Sequence, residues 1–280
     1  MKTMNKYIAG ALAIAAVALL SSSCKQEMIR LNSDPNSLPT TAPEYLFTGT
    51  TQEFNLGSRQ QLINRYTFMQ YMQYIVPDGV NANLRGAYWA PGANTGPSPS
   101  ATYYGDYYSG IGVSMNRIIA QINAMPATEQ TTYQNLKAVC QIVNTYCAWK
   151  VDDFYGAMVY SQAFDVQAYP LPAYDYDWTL YMTFDSTLKV AATTLQAHAT
   201  DANQVMSNLN PSKEGDQDFF YGGNMSAWLA FANTLRIKIA QRYEKRDPAH
   251  LANVLSDIQQ NFSSDIISSN DQSFGYNQSQ

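Results

Sequence analysis

The sequence has few charged residues. They make up 14% of its 280 residues, whereas about a quarter is usual in soluble domains. Asp and Glu (22) outnumber Lys and Arg (17), which gives a net charge of −5. Non-specific nucleic-acid binding needs a basic surface, so this class of function is disfavoured. Asn, Gln, Ser, Thr and 21 Tyr fill the deficit, and this composition suits neutral polar ligands.

Residues that commonly carry catalysis are also scarce. The two histidines, His198 and His250, have no serine elbow or cysteine nucleophile nearby. There is no HExxH sequence, P-loop or dinucleotide glycine motif. The sequence therefore predicts a protein that is not an enzyme and holds no cofactor or metal. A calcium role for the acidic segments 201–203 and 216–218 stays open, although they lack the glycine and terminal Glu of a calcium loop.

A lipoprotein signal is predicted at the N-terminus. Two lysines precede an uncharged apolar run of 13 residues, Ile8 to Leu20, which is too short for a membrane-spanning helix of about 20 residues. Small residues then lead directly into Cys24. We expect residues 1–23 to be the signal peptide, Cys24 to carry acyl chains, and residues 24–38 to form a tether. The alternative is an ordinary secretory signal with an incidental cysteine.

The remaining cysteines, Cys140 and Cys147, lie seven residues apart in a helical pattern. A rise of about 1.5 Å per residue separates them by roughly 10 Å, which is beyond disulfide reach. We expect both to be small buried hydrophobic residues. Trp149 and Trp228 follow the same helical periodicity and are predicted to lie in the core.

The chain from residue 39 onwards is predicted to be all-α, a tetratricopeptide-like scaffold with long irregular loops. Apolar residues recur at helical spacing, and caps or helix breakers mark the ends. No alternating strand pattern is evident, and the tail from residue 263 is polar. The seven predicted helices span about 41–54, 59–76, 103–125, 128–156, 177–198, 224–242 and 248–262.

The loop over residues 77–102 is the candidate ligand site. Long ordered loops are often functional, and this loop places aromatic rings beside amides and a guanidinium, as sugar recognition requires. A Trp in a Gly/Pro-rich segment is not explained by helix packing, although it could hold the loop to the scaffold. Tyr103 to Tyr108 begin a helix and are more typical of the core. The candidate ligand residues are Trp89, Tyr88, Arg85, Asn81 and Asn83.

Three polar residues are assigned scaffold roles. Asp152 and Asp153 are adjacent and point to different helix faces, so they are interpreted as helix-end and turn acceptors. Arg236 is predicted to pair with a buried acid or carbonyl.

A set of ordered motifs resembles the SusD/RagB family of outer-membrane lipoproteins. The motifs are Leu31–Asn36, Ala148–Gly156, Tyr160–Ala163, Tyr174–Asp175 before Leu180–Tyr181, Phe220–Asn224, Trp228, Phe231–Arg236 and Ala240–Arg242. The chain departs from the family where Gly-Asp-x-Pro-Tyr is usual, since it has Ala157 in place of the acid and Val159 in place of the proline. Family members are usually longer, so the resemblance is to an N-terminal portion, a truncated member or an unusually short one.

The resemblance implies a surface lipoprotein anchored through Cys24 in the outer membrane. It implies capture of oligosaccharides for a TonB-dependent, SusC-like transporter, with the helical repeats facing the transporter and the loops forming the ligand site. Two alternatives stay open: a peptide-capturing lipoprotein of the same type, and a helical-repeat adaptor with protein partners only.

Overall fold

The computed structural model describes residues 41–52, 54, 68–69, 72–74, 101–207, 218–263 and 265–275. The predicted signal peptide, Cys24 and most of the predicted helix 59–76 lie outside these residues. The described helices are α1 (Pro43–Gln52), α2 (Ala101–Gly105), a π-helical segment (Asp106–Gly110), α3 (Ile111–Ala124), α4 (Ala127–Gln130), α5 (Gln134–Tyr155), α6 (Asp177–His198), α7 (Met225–Tyr243), α8 (Pro248–Asn261) and a 3₁₀ turn (Asn270–Gln272).

The long helices stack in the order of the sequence. Helix α3 packs on α5, α5 on α6, α6 on α7 and α7 on α8, while α1 covers α3. One continuous apolar core runs between them, as in repeat proteins in which each unit contacts its neighbours. Cys140, Cys147 and Trp228 are buried in it as predicted, and both cysteines are free thiols. Trp149 is only partly buried against this core.

Two predicted helix starts are confirmed in detail. The side chain of Asn224 accepts a hydrogen bond from the backbone N–H of Ala227 (3.1 Å) at the start of α7. Asp247 accepts from the N–H of His250 (3.0 Å) before Pro248 opens α8. In both cases the side chain satisfies a donor that the first helical turn leaves unpaired.

The predicted start of the central helix at Thr128 is wrong. Helix α4 ends at Gln130, and α5 begins only at Gln134. The hydroxyls of Thr131 and Thr132 donate to carbonyl oxygens three residues earlier, at 2.7 and 2.8 Å. These local bonds compete with continued helix, so the chain turns before the apolar periodicity begins.

A two-stranded antiparallel ladder was not predicted. Strands β1 (Ala157–Met158) and β2 (Asp175–Tyr176) pair Ala157 with Tyr176 and Met158 with Asp175. Two residues per strand are too few to show alternation in a sequence. The ladder closes the connection between α5 and α6 into a hairpin.

The polar tail packs against the scaffold through Phe274, a contact that the sequence did not predict. The ring of Phe274 stacks on Phe231 (4.2 Å between centroids, 8° between planes) and on Phe220 (4.5 Å, 20°). It also lies 5.8 Å from Trp228. One aromatic residue in a polar segment produces no periodicity, so the sequence pattern gave no sign of this contact.

A buried arginine joins three helices, as predicted for Arg236. Its guanidinium is 1% exposed and donates to Asp185 on α6 (2.7 Å) and to Asp257 on α8 (2.8 Å). Lys189 adds a further bond to Asp257 (2.8 Å). Burial acts to raise the pKa of Asp257, but the hydrogen bonds from Lys189 and Arg236 lower it to about 2. The carboxylate therefore stays ionised down to strongly acidic pH.

Replacing Arg236→Met should reduce the free energy of unfolding by about 3–5 kcal/mol, since the largely buried Asp185 loses its hydrogen-bond donor and Asp257 loses one of its partners. Urea unfolding followed by circular dichroism measures the effect. Lys238→Met, on an exposed position of the same helix, is the matched control and should change stability by less than about 0.5 kcal/mol. Equal stability of both variants would contradict the structural role of Arg236.

Candidate functional site

The ligand residues predicted from the sequence lie outside the described residues. Trp89, Tyr88, Arg85, Asn81 and Asn83 belong to the segment that precedes α2, and their ligand role stays a prediction. The structure does describe the first helical residues after that segment. It also describes the hairpin between α5 and α6.

The hairpin over residues 157–176 is held closed by one carboxylate. Oδ2 of Asp175 accepts the backbone N–H of Tyr160 (2.9 Å) and of Ser161 (2.8 Å), and Oδ1 accepts the hydroxyl of Ser161 (2.8 Å). Hydrogen bonds to an ionised acceptor are stronger than those between neutral groups. Asp175 therefore sets the geometry of the hairpin base, next to the position where the family's usual acid is replaced by Ala157.

Two further hydrogen bonds hold the hairpin, one to the scaffold and one within the hairpin itself. The hydroxyl of Tyr108 donates to the carbonyl oxygen of Val159 (2.7 Å). Burial is the largest cause that raises the pKa of Tyr108, so the phenol remains a protonated donor at neutral pH. Within the hairpin, Oε1 of Gln162 accepts the N–H of Ala173 (2.8 Å). The hairpin is therefore an ordered structure joined to the π-helical segment.

An aromatic groove of about 350 Å³ lies between this hairpin, α2 and the π-helical segment. Its walls are mainly aromatic rings and prolines, with two polar side chains among them. We call it the aromatic groove; it is lined by Tyr104, Tyr108, Val159, Gln162, Ala163, Phe164, Asp165, Val166, Tyr169, Pro170 and Pro172.

Several rings of the groove are open to solvent. Tyr104 is 41% exposed, Phe164 38% and Tyr169 43%. The same hairpin also exposes Val166, Leu171 and Tyr174. Single exposed apolar residues are ordinary, but a cluster of them on an ordered surface indicates a binding site.

Phe164 has a left-handed backbone conformation, with φ at +64°. This region is disfavoured for bulky residues and costs on the order of 1–2 kcal/mol. The ring packs 5.5 Å from Tyr107 and 6.0 Å from Tyr108, which offsets the strain. Such strain concentrates at ligand-binding positions, and here it directs an aromatic ring into the groove.

The interpretation of Tyr103 to Tyr108 as core is only partly right. Tyr107 is 1% exposed and belongs to the core, whereas Tyr104 and Tyr108 line the groove, with their ring centroids 4.3 Å apart. In the hairpin, Tyr169, Pro170 and Pro172 stand in a loop with neighbouring apolar residues. This concentration of rings and prolines outside any helical period is the signal that could have identified the groove.

A second, charged cleft lies between the ends of α5, α6 and α7. Asp153 accepts the hydroxyl of Tyr181 (3.2 Å) and pairs with Arg242, as expected of a helix-end acceptor. The same interpretation of Asp152 is wrong. Asp152 is 1% exposed, and neither carboxylate oxygen has a hydrogen-bond partner among the described residues. Burial, followed by the charges of Asp177 and Asp153, raises the pKa of Asp152 to about 7.

The contacts of Asp218 do not support the calcium site that the sequence left open. Its carboxylate accepts the N–H groups of Phe220 (3.1 Å) and Gly223 (3.1 Å) and the indole N–H of Trp228 (2.7 Å). Its oxygens thus hold a turn at the start of α7. In the described part of the chain, no group of three or more His, Cys, Asp or Glu could hold a metal ion.

Asp175→Ala should open the hairpin while leaving the helices intact. We expect backbone amides from residue 157 to 176, above all those of Tyr160 and Ser161, to exchange hydrogen about tenfold faster or more, since each 1.4 kcal/mol of lost stabilisation is a factor of ten. Hydrogen exchange read by mass spectrometry measures this. Asp201→Ala, outside the hairpin, is the control; unchanged exchange in Asp175→Ala would contradict the role of the carboxylate.

The raised pKa of Asp152 makes stability depend on pH near neutrality. The folded protein holds this proton to a higher pH than the unfolded chain, so the stabilisation present at low pH is lost as the pH rises through about 7. Asp152→Asn should remove the fall in the unfolding free energy between about pH 4 and 7. Urea unfolding across this range measures the slopes. The exposed Glu129→Gln should keep the wild-type slope, and a wild-type slope in Asp152→Asn would refute the assignment.

Comparisons with known proteins identify the fold. The family model SusD-like_2, described as starch-binding and associating with the outer membrane, matches residues 35–279. A solved chitin-binding protein aligns at 22% identity over 83% of this chain and 45% of its own, with a TM-score of 0.63. A chitin-binding SusD homologue from Flavobacterium johnsoniae aligns at 20% identity over 83% and 44%, with a TM-score of 0.62.

A SusD/RagB family protein from Bacteroides thetaiotaomicron aligns at 21% identity over 84% of this chain and 45% of its own, with a TM-score of 0.58. This chain therefore spans a little under half the length of these three structures. A comparison with curated protein sequences found no match. The likeness confirms the predicted all-α, tetratricopeptide-like fold.

In the residues that the structure describes, no helix has both the length and the apolarity needed to cross a membrane. The family model covers nearly all of the chain after residue 34. The chain belongs to the SusD-like family.

Proposed function

We propose that this protein captures oligosaccharides at the outer membrane and passes them to a SusC-like, TonB-dependent transporter. The observation that carries this proposal is the aromatic groove beside the 157–176 hairpin. Its exposed rings offer flat apolar faces, and the phenol, amide and carboxylate groups among them offer hydrogen bonds. Sugars need both, because a pyranose has an apolar C–H face and a polar rim.

The size of the groove suits a short stretch of glycan. A volume of about 350 Å³ falls at the small end of typical ligand sites. The family description includes starch binding, and two of the matched structures are described as chitin-binding. Both polymers are built of pyranose rings, so we take oligosaccharides of these two types as the first probes.

The segment that precedes α2 supplies the second half of the proposed site. Trp89, Tyr88, Arg85, Asn81 and Asn83 would add a ring, a guanidinium and amides to the groove. Tyr104, only 15 positions after Trp89 in the sequence, is a groove wall. This proximity along the chain supports one ligand surface shared by the loop and the hairpin.

Acylated Cys24 would hold the protein on the outer membrane, with residues 24–38 as the tether. Stable anchoring requires more than one acyl chain, and lipidation of both the thiol and the new amino group would supply several. The helical stack would then face the transporter while the loops receive the ligand. These steps follow from the family resemblance and the signal sequence.

Calorimetric titration of the full chain with maltoheptaose and chitohexaose tests the proposal. We expect saturable binding of at least one of them. Tyr104→Ala and Tyr169→Ala should each weaken it about tenfold, since one lost stacking contact is worth roughly 1–1.5 kcal/mol. Trp89→Ala should have an effect of similar size.

The matched control is Tyr45→Ala, because Tyr45 is also exposed (61%) but lies on α1. It should bind as the wild type does. Binding of an extended peptide panel but of no sugar would favour the peptide-capturing alternative. Silence toward both panels, with tight association to a transporter, would favour the protein adaptor and refute glycan capture.

A further inference from the structure

The charged cleft is a second cavity, distinct from the aromatic groove. It lies where the C-terminal ends of α5 and α7 meet the N-terminal end of α6, and its volume is about 270 Å³. Its walls combine acids, bases and a phenol. Its lining includes Asp152, Asp153, Asp177, Tyr181, Arg242 and Arg246.

Asp152 forms the floor of this cleft and lacks a partner. Its side chain is about as buried as the core residues, yet both carboxylate oxygens are without a hydrogen bond among the described residues. Most buried polar groups are paired, and an unpaired one costs about 1–3 kcal/mol or more. Asp152 is also one of the residues that line the cleft, so a donor bound there is the candidate partner for its carboxylate.

Four other charges of the cleft form two ion pairs. Arg242 donates to Asp153, and Arg246 donates to Asp177 at 2.9 Å. Both arginines are exposed, with side-chain accessibilities of 60%, so they form the rim. A guanidinium has five donors, and these pairs use one each, so donors remain for a ligand oxygen.

The balance of charge indicates the class of ligand. Three carboxylates and three basic groups, Lys245 included, line the cleft. The cleft therefore presents acceptors on its floor and donors on its rim without a strong net charge. A ligand with neighbouring hydroxyls matches this pattern, because each hydroxyl both donates and accepts. The rim arginines would repel a bare cation, and the carboxylate of Asp152 would repel a bare anion.

We propose that the charged cleft binds one ring of a polyhydroxylated ligand, with Asp152 accepting hydrogen bonds from its hydroxyls and Arg242 and Arg246 donating hydrogen bonds to its oxygens. The ligand class rests on the proposed glycan-capturing function. The site itself is separate from the aromatic groove. Glycan held at both sites would be anchored on either side of the hairpin base, since Gly156 lines the cleft and Val159 lines the groove.

Nuclear magnetic resonance of the full chain tests the site directly. The side-chain Nε–Hε signals of Arg242 and Arg246 report on the rim, and the indole of Trp178, half exposed and adjacent to Asp177, reports on the neighbouring surface. We would titrate methyl glucoside, methyl mannoside, methyl galactoside and N-acetylglucosamine. We expect a saturable shift of both arginine signals with at least one of them.

At pH 8, above the raised pKa of Asp152, Asp152→Asn should weaken that binding about tenfold or more, because the ligand hydroxyls lose a charged acceptor. Arg246→Gln, a rim change outside the core, should also weaken it. Glu129→Gln should bind as the wild type does. The double variant Tyr104→Ala, Tyr169→Ala should keep the arginine response, which separates this site from the aromatic groove.

Two results would overturn the proposal. One is the absence of a saturable arginine shift with every glycoside, which would leave the cleft a water-filled space. The other is a response to methylguanidinium but to no glycoside, which would make it a site for a basic side chain of a partner. If maltoheptaose or chitohexaose binds in calorimetry while the arginines stay silent, only this proposal fails. If the arginines respond while the groove variants bind normally, the groove assignment fails instead.

Discussion

The rest of the structure depends on the buried guanidinium of Arg236. It connects carboxylates of α6 and α8 from a position on α7, and so fixes three consecutive helices relative to one another. Apolar side chains that interdigitate already restrict how consecutive helices can shift, but they carry no charge that must be satisfied. A charge with two required partners restricts them further, because any shift leaves a carboxylate unpaired in a poorly solvated place. The relative position of α6, α7 and α8 follows from this cluster.

That register places the functional surfaces. The hairpin leaves α5 at Gly156, which has a left-handed conformation (φ +76°) and ends the helix, and rejoins the scaffold at the start of α6. Since both helix ends are fixed, the carboxylate of Asp175 can close the hairpin over a span of only two paired residues. The exposed rings of Tyr104, Phe164 and Tyr169 then face one groove. The packed helices thus present a loop with exposed aromatic rings, as binding folds commonly do.

The sequence predicted well what periodicity and caps determine. Helix α6 lies over the residues expected of it, and Asn224 and Asp247 cap α7 and α8 as their positions indicated. The pairing of Arg236 was also predictable, because an arginine within an apolar helical period requires an acid. Family membership followed from motifs whose order and spacing are specific.

The features that the sequence did not predict depend on contacts between residues distant in the sequence, or on single residues. Phe274 packs against rings more than 40 positions away, and no local pattern reports such a contact. The hairpin closes through Asp175 and the backbone of Tyr160, a bond that needs the fold to exist first. The sequence did not indicate that the carboxylate of Asp152 lacks a hydrogen-bond partner. Its neighbour Asp153 has the same side chain and takes the available partners. The Trp89 segment stays a prediction.

The central claim is that glycan rings stack on the aromatic groove. The most direct test is to measure nuclear Overhauser effects between the C–H protons of a bound oligosaccharide and the ring protons of selectively labelled Tyr and Phe. The account predicts contacts to Tyr104, Phe164 and Tyr169, and none to Tyr45 on α1. Contacts confined to rings outside the groove, with those three silent under saturating ligand, would contradict it.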